Sequence, residues 1–356
     1  MNTYLNNPSK LQFELSSMCN ALCLGCVRTN TNSFNEKKYV IPEKEYISFD
    51  VFKKIILSPS FASVGELEFC GTIDDPLMHP EFLEFLDFAA ETQGKKYTVY
   101  IHTNASLRNK EYWIKLAQAL KKHKRHMVKF SIDGLEDTNH VYRQNTTWSK
   151  IMENAQAFID AGGTAGWQYL IFPWNEHQVM DAKKLSVEMG FTEFMSRHDR
   201  SLATKLGLKV IQKRKEINAS PDTWSSSLYD INSSLENEVQ NDISCNNQNK
   251  LMYFIGHDSK IWPCCFLHNG FMNLDRGKAN VLHKRLFDAY GSDDWNDLSK
   301  HSVEEVLAHD FYKNDLVASW GTKTHGLGKT DRIHRCTEVC NVKKLEVLPI
   351  GNYKIL

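Results

Sequence analysis

The chain has 356 residues, 42% hydrophobic and 24% charged, the mix of a globular protein with a core for one large or two moderate domains. Lys plus Arg and Asp plus Glu number 43 each, so the charge balance gives no reason to expect bulk nucleic-acid or membrane-surface binding. No apolar run approaches the roughly 20 residues of a membrane span, the N-terminus has no basic or apolar targeting region, and nine cysteines without a secretion signal point to reduced thiols, metal binding and the cytoplasm.

Lys10-Leu-Gln-Phe-Glu-Leu15 alternates polar and apolar residues and reads as a first strand. The loop that leaves it carries Cys19, Cys23 and Cys26, with three and then two residues between them. Three thiolates on one short loop can converge on a single soft metal centre. A [4Fe–4S] cube usually takes four thiolates, so three local ones leave one iron open to another group. A structural zinc site would want a fourth ligand, and three clustered thiols cannot pair evenly in a disulfide framework.

Residues 29–47 are polar and read as an extended connection. Phe49–Leu57 has helical spacing and stops at Ser58-Pro59-Ser60. Leu67–Cys70 is a second strand, and Pro80 is expected as the first residue of a helix whose apolar face runs from Glu81 to Glu91. Tyr97–His102 is a third strand, followed by a helix over 110–122. The basic run Lys121-Lys-His-Lys-Arg-His126 reads as a solvated helix end rather than a nucleic-acid contact. Met127–Ile132 is a fourth strand, followed by a helix over 148–161 closed by Gly162-Gly163. Gly166–Phe172 is a fifth strand, a helix over 176–189 closes at Gly190, and Phe191–Ser196 forms a sixth strand.

Six strand–helix alternations with short connections imply a parallel sheet with right-handed crossovers. Motifs at many strand ends favour a partial (β/α)6 TIM-like barrel over a flat doubly wound sheet, with the chemistry at the carboxyl ends of the strands. From 200 to 244 the period fades into Ser- and Asn-rich sequence, a linker or long loop. The expected division is 1–200 for the barrel, 201–244 for the linker and 245–356 for a small C-terminal domain.

The Cys-x3-Cys-x2-Cys loop after the first strand resembles the radical S-adenosylmethionine (radical SAM) superfamily. The resemblance implies a [4Fe–4S] cluster on Cys19, Cys23 and Cys26, with S-adenosylmethionine chelated at the open iron. It implies an enzyme that cleaves SAM reductively to a 5′-deoxyadenosyl radical, which abstracts hydrogen from a substrate. Gly25 departs from the family, whose residue at this place is usually aromatic and touches the adenine.

Gly71-Thr-Ile-Asp-Asp75-Pro76 is similar to the family's Gly-Gly-Glu-Pro motif, which holds the SAM ammonium through its backbone and acidic side chain. By that resemblance Gly71, Thr72, Ile73, Asp74 and Asp75 bind cofactor. An acidic turn before a helix is the plain reading of the same segment, and Cys70 reads as a small buried hydrophobe. Ser131 and Arg143 resemble the serine and arginine that contact the SAM carboxylate or ribose in peptide-modifying members. An arginine suits a carboxylate bidentately. Asn104 belongs to the same ring of strand ends, and Asp133 is expected at the barrel mouth, toward ribose or substrate, as the catalytic candidate. Leu170, in the fifth strand, is expected to pack the adenine, although core packing explains it equally well.

Tyr253–Cys264 reads as a hairpin. With Cys245 before it, a helix over Val303–Leu316 and the closing Cys336–Cys340, it resembles the SPASM and twitch extensions. A full SPASM domain has more cysteines, so a twitch-like domain with one auxiliary [4Fe–4S] cluster on Cys245, Cys264, Cys336 and Cys340 is implied. A four-thiolate zinc site would use the same ligands. Cys264 and Cys265 compete for one ligand position, because neighbouring strand residues face opposite ways.

The expected function is hydrogen abstraction from a peptide, a protein or a small molecule, as an oxidoreductase or a peptide-modifying enzyme. The implied electron donor is a flavodoxin or ferredoxin. The alternative of another class is a non-catalytic iron–sulfur or zinc protein that senses or scaffolds.

Overall fold

The computed structural model describes residues 4–5, 7–24, 26, 28, 44–198, 242–271, 281–323, 325 and 328–340. Gly25 and most of the expected linker, 199–241, lie outside the described residues. The strands, in chain order, are β1 (Lys10–Phe13), β2 (Glu66–Phe69), β3 (Thr98–Thr103), β4 (Arg125–Ser131), β5 (Ala165–Ile171), β6 (Glu193–His198), β7 (Met252–Ile255) and β8 (Ile261–Trp262). Among the described residues, no helix is long and apolar enough to cross a membrane.

The chain forms two compact units. One comprises Glu14–Tyr46, Glu66–Asp222 and Gly351–Leu356; the other comprises Met1–Phe13, Ile47–Gly65 and Thr223–Ile350. These cut across the expected division at 200 and 244, because β1 takes its register from β7 far along the chain.

In the unit that carries the first cysteine loop, β2 to β6 lie side by side in sequential order, all parallel. The helices Phe82–Gln93, Lys110–Leu120, Trp148–Asp160 and Val179–Met189 connect successive strands. Unbroken sequential order has no switch point, the mark of a doubly wound sheet. Right-handed crossovers then put every helix on one face, as the expected partial barrel requires. β3 displays the cause in its own sequence: Val99, Ile101 and Thr103 are buried, while Tyr100 and His102 between them are half-buried on the other face. On the helix side Trp113 stacks on Phe130 at 5.2 Å and meets Phe158 edge-on. Gly190 ends its helix in the left-handed conformation, φ 90°.

Two helical details differ from the sequence reading. The helix expected to open at Pro80 begins at Phe82; it is Pro76 that opens a helical segment, the 3-10 turn Pro76–Met78 capped by Asp75. The helix expected over Val303–Leu316 is broken into Val303–Leu307, a π turn over Phe311–Asp315 and Leu316–Gly321. At the break the His309 ring accepts the Phe311 N–H at 3.2 Å, competing with the helical carbonyl.

The second unit builds a three-stranded sheet, β1 parallel to β7 and β7 antiparallel to β8, so the expected hairpin is present. β7 is buried along its whole length. The helix Phe49–Leu57 is capped by Ser48, carries Asp50 in its first turn, and presents Phe52 to Phe13 at 5.6 Å. Tyr4 is fixed here as well, its N–H donating to the Tyr312 carbonyl at 2.8 Å and its hydroxyl to the Pro263 carbonyl at 3.0 Å.

Gly134, at the exit of β4, has φ 141°, and a Cβ there would lie 2.2 Å from Thr138 Oγ1 and 2.7 Å from the Asn139 nitrogen. Gly134→Ala should destabilise the protein by about 2 kcal/mol or more. Denaturant unfolding of the variant against the parent checks this; equal midpoints would contradict it.

Candidate functional site

The loop with Cys19, Cys23 and Cys26 has no regular structure of its own and is held from outside. The Leu22 N–H donates to the Gln144 carbonyl (2.9 Å), Leu24 N–H to Tyr142 (3.2 Å), and Asn145 Nδ2 to the Asn20 carbonyl (2.7 Å). Arg28 Nη1 closes the far side on the Cys19 carbonyl at 2.8 Å. Cys23 is buried and the other two thiols are half-buried.

Two nitrogen donors point at the thiols. Asn104 Nδ2 lies 3.6 Å from Cys19 Sγ, and Arg143 Nη1 lies 3.5 Å from Cys23 Sγ. Burial, the Asp75 carboxylate and the Cys23 thiol push Cys19 far above the usual thiol range. Burial raises Cys23 to about 11 against the pull of Arg143. The neighbouring Cys26 adds to both. Without a metal the site therefore holds thiols, and a metal must displace their protons. Three sulfurs within electrostatic reach of one another, with N–H donors behind them, fit a cluster with one iron left open.

Arg143 is aimed by Asp133. Its Nε donates to Asp133 Oδ2 at 2.7 Å, and the other carboxylate oxygen accepts the Leu170 N–H at 2.6 Å. The Asp133 N–H donates to Asn139 Oδ1, and its carbonyl accepts Asn175 Nδ2. Asp133 is 0% exposed and lies behind Arg143, whose Nε it accepts, rather than open at the barrel mouth. Burial opposes the Arg143 charge, yet Asp133 and Cys23 beside it hold its pKa above the usual arginine value. Asn139 and Tyr142 lie on the helix Asn139–Tyr142, which the sequence reading missed because four residues carry no period.

The loop after β2 is also tied down by carboxylates, differently from the expected cofactor role. Glu14 Oε2 accepts the N–H and hydroxyl of Thr72 and the N–H of Ile73. Asp74 Oδ2 accepts the N–H groups of Leu15 and Ser16. Asp75 accepts from Leu77 N–H, Thr103 Oγ1 and Asn104 N–H, and is 2% exposed, so its side chain serves as a turn cap. The backbone donors of Thr72 and Ile73 are likewise occupied, while the Thr72 carbonyl lies 3.9 Å from Cys26 Sγ. Gly71 is required by close approach: a Cβ there would sit 2.0 Å from Asp74 Oδ1. That Oδ1 is buried with no hydrogen-bond partner among the described residues. Burial and the Glu14 carboxylate push Asp74 well above the usual range.

Beside the cysteine loop, Phe172 and Trp174 stack 4.5 Å apart in a small cluster with Val141, against which Leu24, Tyr142 and Leu170 pack. Leu170 therefore lies on an apolar shelf next to the loop. Ser131 ends β4 opposite Gln168 of β5.

In the second unit Cys245, Cys264, Cys336 and Cys340 line one small pocket, with Arg335 as its only charged lining residue among the described residues; Cys265 is not among its lining. Cys264 leaves β8, while Cys265 starts the helix Cys265–Phe271. The Cys340 thiol donates to Cys245 and, against burial, brings Cys245 down to about 6. Burial and the Cys245 charge raise Cys336 to about 12. Tyr4 Oη lies 3.9 Å from Cys245 Sγ, a contact with no local sequence signal.

Residues 13–185 match the family model described as the radical SAM superfamily. No curated protein matches the chain. Among solved structures, Streptococcus suis SuiB bound to S-adenosylmethionine aligns with 81% of this chain and 66% of its own, at 19% identity and a TM-score of 0.47. Histidine-tagged anSMEcpe with bound AdoMet aligns with 85% of this chain and 78% of its own, at 15% identity and a TM-score of 0.49. The chain thus spans just under two thirds of the length of SuiB.

Removing the partner of a buried charge leaves it uncompensated, so Asp133→Ala should cost about 3–5 kcal/mol of stability in the metal-free protein. Denaturant unfolding measures it, and a variant of unchanged stability would return Asp133 to the catalytic candidates. Asp74, raised in the folded state, stabilises the fold below the ordinary carboxylate pKa, and that contribution is lost as pH rises through its folded value. Asp74→Asn keeps an acceptor for Leu15 and Ser16 but cannot ionise. Its stability relative to the parent should improve steadily from pH 4 to pH 8; parallel pH profiles would contradict the assignment.

Proposed function

Residues 13–185 belong to the radical SAM superfamily, and from that premise we propose that this chain is an enzyme that cleaves S-adenosylmethionine reductively at Cys19, Cys23 and Cys26. The observation that carries the reading is the convergence of these three thiols with two N–H donors, from Asn104 and Arg143. A bound [4Fe–4S] cluster supplies the electron that splits a carbon–sulfur bond of SAM, giving the 5′-deoxyadenosyl radical that takes hydrogen from a substrate.

The residues of the chain bind, orient and shield. The three cysteines hold three irons. Asn104 and Arg143 place N–H dipoles on the sulfurs, which favours the more negative, reduced state. Arg143, held by Asp133 through Nε, has Nη2 without a hydrogen bond among the described residues, and that nitrogen takes the SAM carboxylate. The Thr72 carbonyl, beside Cys26, is an acceptor placed toward the ammonium. Leu170, backed by the buried Phe172 and Trp174, packs the adenine and excludes water.

Cys245, Cys264, Cys336 and Cys340 hold a second, auxiliary [4Fe–4S] cluster in a twitch-like domain, and their shared pocket supports that ligand set over one containing Cys265. The substrate is a peptide, a protein or a small molecule, and the electron donor a flavodoxin or ferredoxin.

Replacing Cys19, Cys23 and Cys26 together by Ala should abolish 5′-deoxyadenosine formation from SAM under anaerobic reduction. Full retained cleavage would sink the reading. Iron should stand at about eight per chain after reconstitution and fall to about four in Cys264→Ala, with Cys265→Ala near the parent value. One equivalent of zinc with only four irons would make the second site a structural metal centre.

A further inference from the structure

The inner face of the parallel sheet carries a side-chain cluster that the radical SAM reading does not use. Glu68 of β2 and Cys70 just beyond it are two residues apart and share a face, and His102 of β3 reaches the same spot. Their ligand atoms lie within 4.8 Å of one another, and all three residues are half-buried. We propose that Glu68, Cys70 and His102 bind one divalent cation of the zinc class, with a fourth position open to water or to a heteroatom of a substrate.

The geometry around His102 carries the argument. Its Nδ1 lies 3.3 Å from Gln168 Oε1, which accepts from the ring when the proton is on Nδ1. In the neutral ring Nε2 then presents a lone pair, and it faces Glu68 Oε1 at 2.9 Å. In that tautomer a cation between the two lone pairs would satisfy both, whereas in the other tautomer Nε2–H donates to Glu68. A metal ion serves all three side chains.

The ligand chemistry selects the ion. One thiolate, one imidazole and one carboxylate suit a borderline-soft cation and leave out magnesium and calcium, which prefer all-oxygen shells. Tetrahedral zinc wants such donors roughly 3.3–3.6 Å apart, given bonds of about 2.0–2.3 Å, so His102 Nε2 and Glu68 Oε1, now 2.9 Å apart, would open slightly while the thiol draws in. A carbonyl or amide oxygen behind a histidine ligand is the usual means of fixing its tautomer, and Gln168 occupies that place. Three protein ligands with an open fourth position make a site that can polarise a bound group. Cys70 stands two residues before Thr72, whose carbonyl neighbours Cys26, so the cation would sit on the same strand ends as the cluster loop.

The test uses reconstituted holoprotein, dialysed against chelator and titrated with Zn2+ in competition with a chromophoric chelator. The parent should bind one zinc. His102→Ala and Cys70→Ser should weaken that binding beyond the about 10–100-fold expected for Gln168→Leu, which removes only the group behind the ligand. Iron content and SAM cleavage, measured in parallel, report on the cysteine clusters and fail or hold independently. The zinc K-edge spectrum of the parent should contain one sulfur at about 2.3 Å with nitrogen and oxygen at about 2.0–2.1 Å, which decides the matter even if a variant does not fold. No zinc bound by the parent, a four-sulfur spectrum, or equal affinity in folded His102→Ala would overturn the site.

Discussion

A buried guanidinium needs a buried anion, and the first cysteine site depends on that requirement. Arg143 reaches Cys23 only because Asp133 holds its Nε, and Asp133 is itself held by Leu170, Asn139 and Asn175. Removing charges from water costs several kcal/mol per ion, returned only when geometry and extra hydrogen bonds are good. Here every oxygen of the carboxylate is used. The strain-free exit at Gly134 lets the chain turn from β4 into the segment that carries both Asn139 and Arg143. A charge-placing device thus links a strand end, a four-residue helix and the thiol loop.

The same economy of buried carboxylates shapes the loop after β2. Glu14 and Asp74 exchange grips: each accepts backbone N–H groups from the segment that carries the other. Asp75 ties the turn to Thr103 and Asn104, and Asn104 passes on to Cys19. Rigidity is gained by using the acids that a sequence motif would assign to a ligand. The consequence is electrostatic as well, since Asp75 raises the thiol of Cys19.

The two cysteine sets differ in how their thiols share protons. Burial keeps Cys19 and Cys23 protonated, so loading that site releases protons and is opposed by acid. In the other unit Cys245 and Cys340 interact directly, which lowers Cys245 and raises Cys340. One set begins as thiols held near N–H donors; the other begins with a charge already shared between two sulfurs.

The sequence by itself determined what is local. Alternation set β3, helical spacing set Phe49–Leu57 to its last residue, Gly190 ended its helix, and the spacing of Cys19, Cys23 and Cys26 singled out one loop. These follow from side-chain periods and backbone preferences that act within a few residues. Only the tertiary structure decided the use of the polar groups. It gave Asp75 to a turn, Asp133 to Arg143, Tyr4 to the surroundings of Cys245, and Cys264 rather than Cys265 to the pocket. Apart from the Leu77 N–H that Asp75 caps two residues on, each of these depends on partners at least ten residues away. A buried polar group must be satisfied by whatever the fold brings beside it, and residue type alone does not name that neighbour.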